Sequence, residues 1–281
     1  MRERGLQPLV TLHHFSDPLW LAEKGGWEDE ACVGYFEKFV RKVVETLKDY
    51  VTHWCTINEP NVLAVFGYVL GAFPPGKKDI RTGIRVLINQ VRAHAAAYHA
   101  IHALQPTARV GIALNYRSFQ PARKKSLLDR WAANTQFNLF NALFPRALVS
   151  GKVKTIFGSA LIPQAKGSQD YFGLNYYTRD LVAFNLTKPG GLFARRFFRQ
   201  DARLSATGFL ANEPEGMFEA LKWAKQFNIP ILVTENGVED ADDTLRPTYL
   251  AEHLCQVWRA VNFNYPVKGY FHWSLVDNFE W

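Results

Sequence analysis

Short apolar runs alternate with longer amphipathic stretches along the 281 residues of the chain. The short runs are rich in Val, Ile and Leu and mostly lack a regular polar alternation, which is typical of parallel strands covered on both faces. Six of them are predicted to be strands: Leu9–Phe15, Thr52–Asn58, Arg109–Tyr116, Tyr171–Tyr177, Ile229–Glu235 and Val267–Leu275.

The longer stretches have the spacing of amphipathic helices. In residues 35–50, apolar side chains recur every three or four positions and charged side chains occupy the other face. The same pattern predicts helices over Ile80–Leu104, 214–227 and 247–262. The stretch 185–212, rich in Gly, Arg and Phe, is predicted to be a long loop.

Repeated strand–helix–strand order predicts an α/β fold with a parallel sheet and helical crossovers. Neither a low-complexity linker nor a repeat of fixed period divides the chain, so a single domain over residues 1–281 is expected. A (β/α)8 TIM barrel needs eight strands. With six strands predicted, we expect an incomplete barrel with about six of the eight strands, truncated at both ends.

Composition and charge favour an ordinary globular protein. Hydrophobic residues make up 48% and charged residues 21% of the chain, and no apolar run approaches the roughly 18 residues of a membrane span. Cys32, Cys55 and Cys255 lack disulfide or metal spacing, so reduced thiols and a cytoplasmic location are predicted, with no signal peptide visible. The net charge of +7 comes from basic stretches at 123–125 and 195–203, which favour a solvated face over a nucleic-acid or membrane partner.

Two glutamates carry the candidate chemistry. Glu59 ends the apolar run T-I-N-E, and Glu235 ends the run I-L-V-T-E. Cleavage of a glycosidic bond requires a pair of carboxylates, one an acid and the other a nucleophile or base. If both runs are parallel strands of one barrel, the two side chains face each other across a pocket.

Further polar and aromatic groups follow other predicted strands. Residues 271–281 contain tryptophans and carboxylates, which suit a sugar because its C–H face packs on indole and its hydroxyls donate to carboxylates. Residues 172–178 and 13–15 also end strands in polar and aromatic side chains. Five such strand ends are the layout expected at the catalytic face of a barrel.

Together, T-x-N-E-P, T-E-N-G and W-S-L-x-D-N-F-E-W, in this order across the chain, resemble glycoside hydrolase family 1, the retaining β-glucosidase and β-galactosidase family. The resemblance implies that Glu59 is the acid/base and Glu235 the nucleophile, with carboxyl groups about 5–5.5 Å apart. It implies that the pKa of Glu59 is raised by burial and by its partner's charge. The implied substrate-binding residues are His14, Asn58, Asn175, Tyr177, Trp273, Glu280 and Trp281.

Within that set, the resemblance implies a contact from Asn58 to the sugar 2-hydroxyl, a hydrogen bond from Tyr177 to Glu235, and a sugar floor formed by Trp273. The sequence has no Gly-rich phosphate loop or nucleotide fingerprint, so no cofactor is expected, and no metal site is predicted. His99 and His102 lie one turn apart on a helix but lack an evident acidic partner, so they are expected to be structural.

The sequence also departs from the family. A Gln from the family's first strand and an Arg from its second have no counterpart here, because the chain opens on what resembles the third strand. Phe15 stands where Trp is commoner. A fragment of a family 1 enzyme, poorly stable and nearly inactive as an isolated chain, is therefore expected.

The predicted function is retaining hydrolysis of terminal β-D-glucosidic bonds, with β-galactosides or β-fucosides as further substrates. Glu280 and Trp281 favour unphosphorylated sugars within this family. The alternative is an inactive fragment or a non-catalytic sugar-binding homologue, against which the presence of both glutamates weighs. A small β-glycoside or oligosaccharide is the predicted partner, and the oligomeric state stays open.

Overall fold

The computed structural model describes residues 2–276. Its strands are β1 Leu9–His13, β2 His53–Asn58, β3 Arg109–Pro121, β4 Lys152–Thr155, β5 Gly158–Leu161, β6 Tyr171–Phe184, β7 Ala194–Phe197, β8 Ile231–Glu235 and β9 Val267–Tyr270. Its helices are α1 Leu19–Glu23, α2 Ala31–Leu47, α3 Pro60–Val62, α4 Ile80–Leu104, α5 Leu127–Phe137, α6 Leu143–Ser150, α7 Glu215–Ala224 and α8 Arg246–Asn262. Two π-helical segments, Leu63–Val69 and Asn138–Ala142, follow α3 and α5.

The main sheet has the strand order β1-β2-β3-β6-β8-β9, with β7 paired to β6. The pairs β1–β2, β2–β3 and β8–β9 are parallel, as crossover connections through helices require. β7 is antiparallel to β6, and β4 and β5 form a separate antiparallel pair. All six predicted strands are confirmed, and β3 and β6 run on to Pro121 and Phe184, beyond the predicted ends.

Several predicted boundaries were wrong. The first strand ends at His13 because the chain turns at Phe15, where φ is 66°, and the last strand ends at Tyr270. The predicted loop 185–212 contains β7, whose four residues alternate between half-buried and exposed. The four predicted helices correspond to α2, α4, α7 and α8.

Helix α5 was missed because its apolar periodicity is interrupted by a buried carboxylate. Asp129 is fully buried and accepts hydrogen bonds from Arg123 Nε and Nη2, at 2.7 and 2.9 Å, and from Phe184 N at 3.0 Å. These bonds, those from Arg123 first, hold the pKa of Asp129 well below its usual range. A buried carboxylate is therefore part of the packing of this helix, and it is compensated by Arg123, whose own side chain is largely exposed.

The described chain forms two compact units. One comprises the chain up to Leu114 together with Leu143–Gly173, and the other comprises Asn115–Ala142 together with the chain from Leu174 onward. The expectation of a single domain stays a prediction.

In the first unit, α4 packs against α2 and β2. Its buried face includes Val86, Leu87, Val91 and Ile101, and burial of each such side chain contributes about 1.5–3 kcal/mol. The helix begins after Asp79, whose carboxylate accepts from the backbone N–H groups of residues 81 and 82.

In the second unit, α7 packs against α8. A core cluster of Leu210, Val238, Leu245 and Tyr249 lies close to the end of β8, and Tyr177 packs on it. Within residues 2–276, no helix is both long and apolar enough to cross a membrane.

Candidate active site

The chain leaves β2 through a residue with unusual backbone geometry. Glu59 follows Asn58 directly and adopts left-handed angles, φ 45° and ψ 55°, before Pro60 opens α3. Its N–H donates to Ala113 O at 2.7 Å, and only 6% of the residue is exposed. A non-glycine residue held in this region costs on the order of 1–3 kcal/mol, and such residues cluster at functional sites. The strand end therefore holds a buried carboxylate in a strained backbone.

The structure brings two predicted sugar-binding residues together in this unit. The parallel register pairs His13 with Ile57, so the residues that follow, His14 and Asn58, leave their strands side by side. Asn58 Nδ2 lies 3.1 Å from His14 Nε2, and Asn58 is almost fully buried. Amide and imidazole groups in such a pair are oriented by each other.

A turn after β1 holds His13, the residue before His14, through residues that the sequence analysis missed. His13 Nε2 lies 3.1 Å from Asp17 Oδ1, and Trp27 Nε1 donates to the same oxygen at 3.1 Å. The His13 ring packs edge-on against Trp27, with ring centroids 4.9 Å apart. The spacing of four residues between His13 and Asp17 was the only signal in the sequence for this contact.

Histidines in the same unit have structural environments. His94 is fully buried, with Nδ1 2.7 Å from Thr56 Oγ1 and Nε2 2.6 Å from Ser168 O. Burial lowers the pKa of His94 to about 4, so the ring is neutral at physiological pH.

Two more histidines lie on the same helix. His102 Nε2 lies 2.9 Å from Asp170 Oδ2, so the expectation that His102 lacks an acidic partner was wrong. His99 Nε2 lies 2.9 Å from Gln164 O. Residues 2–276 contain no cluster of three or more His, Cys, Asp or Glu side chains arranged to hold a metal ion.

In the second unit, the structure joins two other predicted residues. Glu235 is the last residue of β8 and is 7% exposed. Tyr177 Oη donates to Glu235 Oε2 at 2.5 Å. A charge-assisted hydrogen bond of this kind fixes the orientation of a carboxylate and stabilises its ionised form. The contact predicted between Tyr177 and Glu235 is therefore present.

Two further predicted residues lie beside this strand end. Asn175 is fully buried, and its Oδ1 accepts from Thr234 Oγ1 at 2.6 Å. Trp273 is half-buried, and its N–H donates to Asn236 O at 3.0 Å. A Cβ atom on Gly237 would lie 1.8 Å from Trp273 O, so only glycine permits this approach. Glu280 and Trp281 lie outside the described residues.

A buried hydrogen-bond network below Glu235 was not predicted. Asn236 Nδ2 donates to Tyr176 O at 2.7 Å and to Tyr249 Oη at 3.0 Å, while Tyr270 Oη donates to Asn236 Oδ1 at 2.8 Å. Tyr249 Oη in turn donates to Tyr177 O at 2.7 Å. From the sequence alone, Asn236 of T-E-N-G is predicted to be a turn residue. The local motif does not reveal its hydrogen-bond partners, because they lie on other strands and helices.

Comparison with known proteins decides the family. The sequence profile of Glycosyl hydrolase family 1 matches residues 1–281. The chain belongs to this family. The profile match confirms the family that the sequence motifs indicated.

Named relatives and solved structures agree with this assignment. The chain is 33% identical to Beta-glucosidase A of Thermotoga maritima, over 99% of the chain and 67% of that protein. It is 31% identical to a Beta-galactosidase of Pyrococcus woesei, over 100% of the chain and 63% of that protein. Its structure resembles the beta-glycosidase from Pyrococcus horikoshii with a TM-score of 0.92 and 37% identity, covering 100% of the chain and 64% of that structure.

These likenesses confirm the fold class, an α/β fold of the TIM-barrel glycosidase kind that is incomplete in this chain, with six parallel strands in the described sheet. The chain spans about two thirds of the length of the relatives it matches.

Proposed function

We propose that the protein hydrolyses terminal β-D-glucosidic bonds with retention of configuration, and that it also accepts β-galactosides and β-fucosides. The relatives named as β-glucosidase and β-galactosidase support this substrate class. The observation that carries the proposal is the 2.5 Å hydrogen bond from Tyr177 to Glu235, because an oriented, ionised carboxylate is what a glycosyl-accepting nucleophile requires.

In the proposed first step, Glu235 attacks the anomeric carbon while Glu59 donates its proton to the departing glycosidic oxygen. The anomeric C–O bond to the leaving group breaks, and a glycosyl ester forms on Glu235. Esterification removes the negative charge of Glu235, so the proton affinity of Glu59 falls and Glu59 becomes a base.

In the second step, Glu59 takes a proton from water, whose oxygen attacks the anomeric carbon and releases Glu235 as a carboxylate. Two inversions give net retention. The expected separation of about 5–5.5 Å between the two carboxyl groups stays a prediction of this mechanism.

The remaining sites are proposed to bind the sugar. Asn58 holds the 2-hydroxyl, and its neighbour His14 holds a hydroxyl of the same ring. Trp273 supplies the apolar floor against which the C–H face of the sugar packs. Asn175, Glu280 and Trp281 are assigned to hydroxyl recognition.

The test compares the 281-residue chain with its Glu59→Ala and Glu235→Ala variants on an aryl β-glucoside, with and without azide. Turnover of the unmodified chain at ordinary enzyme rates would contradict the expectation that the isolated chain is nearly inactive. Loss of Glu59 is expected to lower turnover about 10²–10⁴-fold. Azide attacks the glycosyl ester in Glu59→Ala and gives a β-glycosyl azide. In Glu235→Ala it replaces the carboxylate and gives the α-glycosyl azide.

A 2-deoxy-2-fluoro glucoside should label Glu235 of the unmodified chain covalently, with Glu235→Ala as the unlabelled control. Glucose binding by calorimetry without turnover or labelling would contradict the proposal and favour a non-catalytic sugar-binding homologue.

We also infer a cytoplasmic location. Cys32 and Cys55 are buried, Cys255 is exposed, and no disulfide joins the three thiols. Fractionation of cells expressing the protein tests this, and recovery from an oxidising compartment with a disulfide formed would contradict it.

A further inference from the structure

The hydrogen bonds below Glu235 form a continuous path from helix α8 to the proposed nucleophile. Tyr249, on α8, accepts from Asn236 Nδ2 at 3.0 Å and donates to Tyr177 O at 2.7 Å. Asn236 is bonded covalently to Glu235, and Tyr177 donates to Glu235 Oε2. One hydroxyl therefore contacts both residues that set the position of this carboxylate.

We propose that Tyr249 is a positioning residue for Glu235, which acts through Tyr177 and Asn236; this inference rests on the proposed function. The side chain is fully buried, and Tyr177 packs on the core cluster that contains it. Burial raises the pKa of Tyr249 well above its usual range, so the hydroxyl keeps the proton that it donates to Tyr177 O.

The direction of each hydrogen bond is determined by the groups involved. A backbone carbonyl only accepts, so Tyr249 must donate to Tyr177 O and can then accept only through its oxygen lone pairs. Asn236 supplies that donor with its amide nitrogen, while Tyr270 Oη donates to Asn236 Oδ1 at 2.8 Å. In each of these hydrogen bonds, only one assignment of donor and acceptor is therefore possible. A buried network with such fixed directions orients its side chains together.

The ring of Tyr249 has a separate, structural task. It stacks on His253 with ring centroids 3.8 Å apart, and His253 Nδ1 lies 2.7 Å from Tyr249 O. Burial lowers the pKa of His253 to about 4, so this stack involves a neutral imidazole. Tyr249→Phe retains the ring and removes only the hydroxyl, which separates positioning from packing.

The variant Tyr176→Phe is a matched control. Tyr176 is also fully buried in this unit, and its hydroxyl donates to a backbone carbonyl, Glu213 O, at 2.6 Å. That hydroxyl has no hydrogen bond to Tyr177 or Asn236. Both variants lose one buried hydroxyl, but only Tyr249→Phe breaks the path to Glu235.

The experiment measures steady-state kinetics and the rate of Glu235 labelling by a 2-deoxy-2-fluoro glucoside. Tyr249→Phe is expected to lower kcat and the labelling rate about five- to tenfold with KM nearly unchanged, whereas Tyr176→Phe leaves all three near the unmodified values. Because one of the two routes from Tyr249 to Glu235 runs through Tyr177, the double variant Tyr177→Phe/Tyr249→Phe should lose less than the product of the two single losses. Equal effects of Tyr249→Phe and Tyr176→Phe on labelling, or full additivity with Tyr177→Phe, would overturn the proposal.

Hydrogen exchange provides a readout that does not depend on turnover. Tyr249→Phe should speed amide exchange at residues 177, 236 and 237 more than Tyr176→Phe does, and equal exchange in the two variants would overturn the inference. An unmodified chain that neither turns over nor becomes labelled contradicts the proposed function alone, and the exchange measurement then still decides the role of Tyr249.

Discussion

Replacing Tyr177 with phenylalanine removes the hydroxyl that donates to Glu235 Oε2 at 2.5 Å and leaves the ring in place. The ring contact with the cluster of Leu210, Val238, Leu245 and Tyr249 is retained, so the loss of fold stability should be small. The main consequence is that Glu235, with 7% exposure, loses a donor that bulk water cannot readily replace.

The magnitude follows from the kind of hydrogen bond. A hydrogen bond to a charged group contributes about 1.5–3 kcal/mol net. Since about 1.4 kcal/mol corresponds to a factor of ten in rate, formation of the glycosyl ester should slow about 10- to 150-fold. The second step should slow as well, because Glu235 leaves as a carboxylate and the lost hydrogen bond would stabilise the charge that returns to it.

The assay is the rate of covalent labelling of Glu235 by a 2-deoxy-2-fluoro glucoside, followed by mass spectrometry, in parallel with kcat/KM for an activated aryl β-glucoside. Tyr176→Phe serves as the control, because it removes a buried hydroxyl from the adjacent residue without touching Glu235. Labelling of Tyr177→Phe within twofold of the unmodified rate would refute the reasoning that this hydrogen bond orients the nucleophile.

Three further perturbations test the fold around these residues. Gly237→Ala should destabilise the chain by about 1–3 kcal/mol, because the added Cβ would lie 1.8 Å from Trp273 O. Gly190→Ala is the control, since a Cβ at that position meets no atom within 4 Å. An equal denaturation midpoint for the two variants would contradict this. Burial lowers the pKa of His94 in the folded chain to about 4, so its contribution to stability is present above about pH 6.5 and is lost as the pH falls from there toward 4. In urea titrations, the free energy of unfolding should therefore fall less between pH 7 and pH 5 for His94→Gln than for the unmodified chain. The pKa of Asp129 is depressed in the folded chain, so the advantage of the unmodified protein over Asp129→Asn should be full at pH 7 and decline below about pH 4, and an advantage that does not vary with pH would exclude this linkage.

The strands were predictable because their signal is local. β2 and β8 are apolar runs of five or six residues, and each run leads directly to a glutamate. Helices α2 and α4 were equally predictable, because each has one continuous apolar face. Helix α5 was not, because Asp129 on its buried side is compensated by Arg123 and Phe184, and no rule of local pattern anticipates such partners.

The candidate site also contains some residues that could be predicted from the sequence and others that could not. The resemblance to the family predicted Glu59, Glu235 and Tyr177 as site residues, and the hydrogen bond predicted between Tyr177 and Glu235 is present. The turn held by Asp17 and Trp27 went unpredicted, because its members are recognised only when the chain is folded.

By itself, the sequence determined the family, the alternation of strands and helices and the identity of the two glutamates, since each is written in short contiguous motifs. Only the tertiary structure decided that Glu59 takes a left-handed backbone, and that Tyr249 and Tyr270 converge on Asn236. The physical reason is that a buried polar group must find its partners wherever packing brings them, and packing joins residues without regard to their distance along the chain.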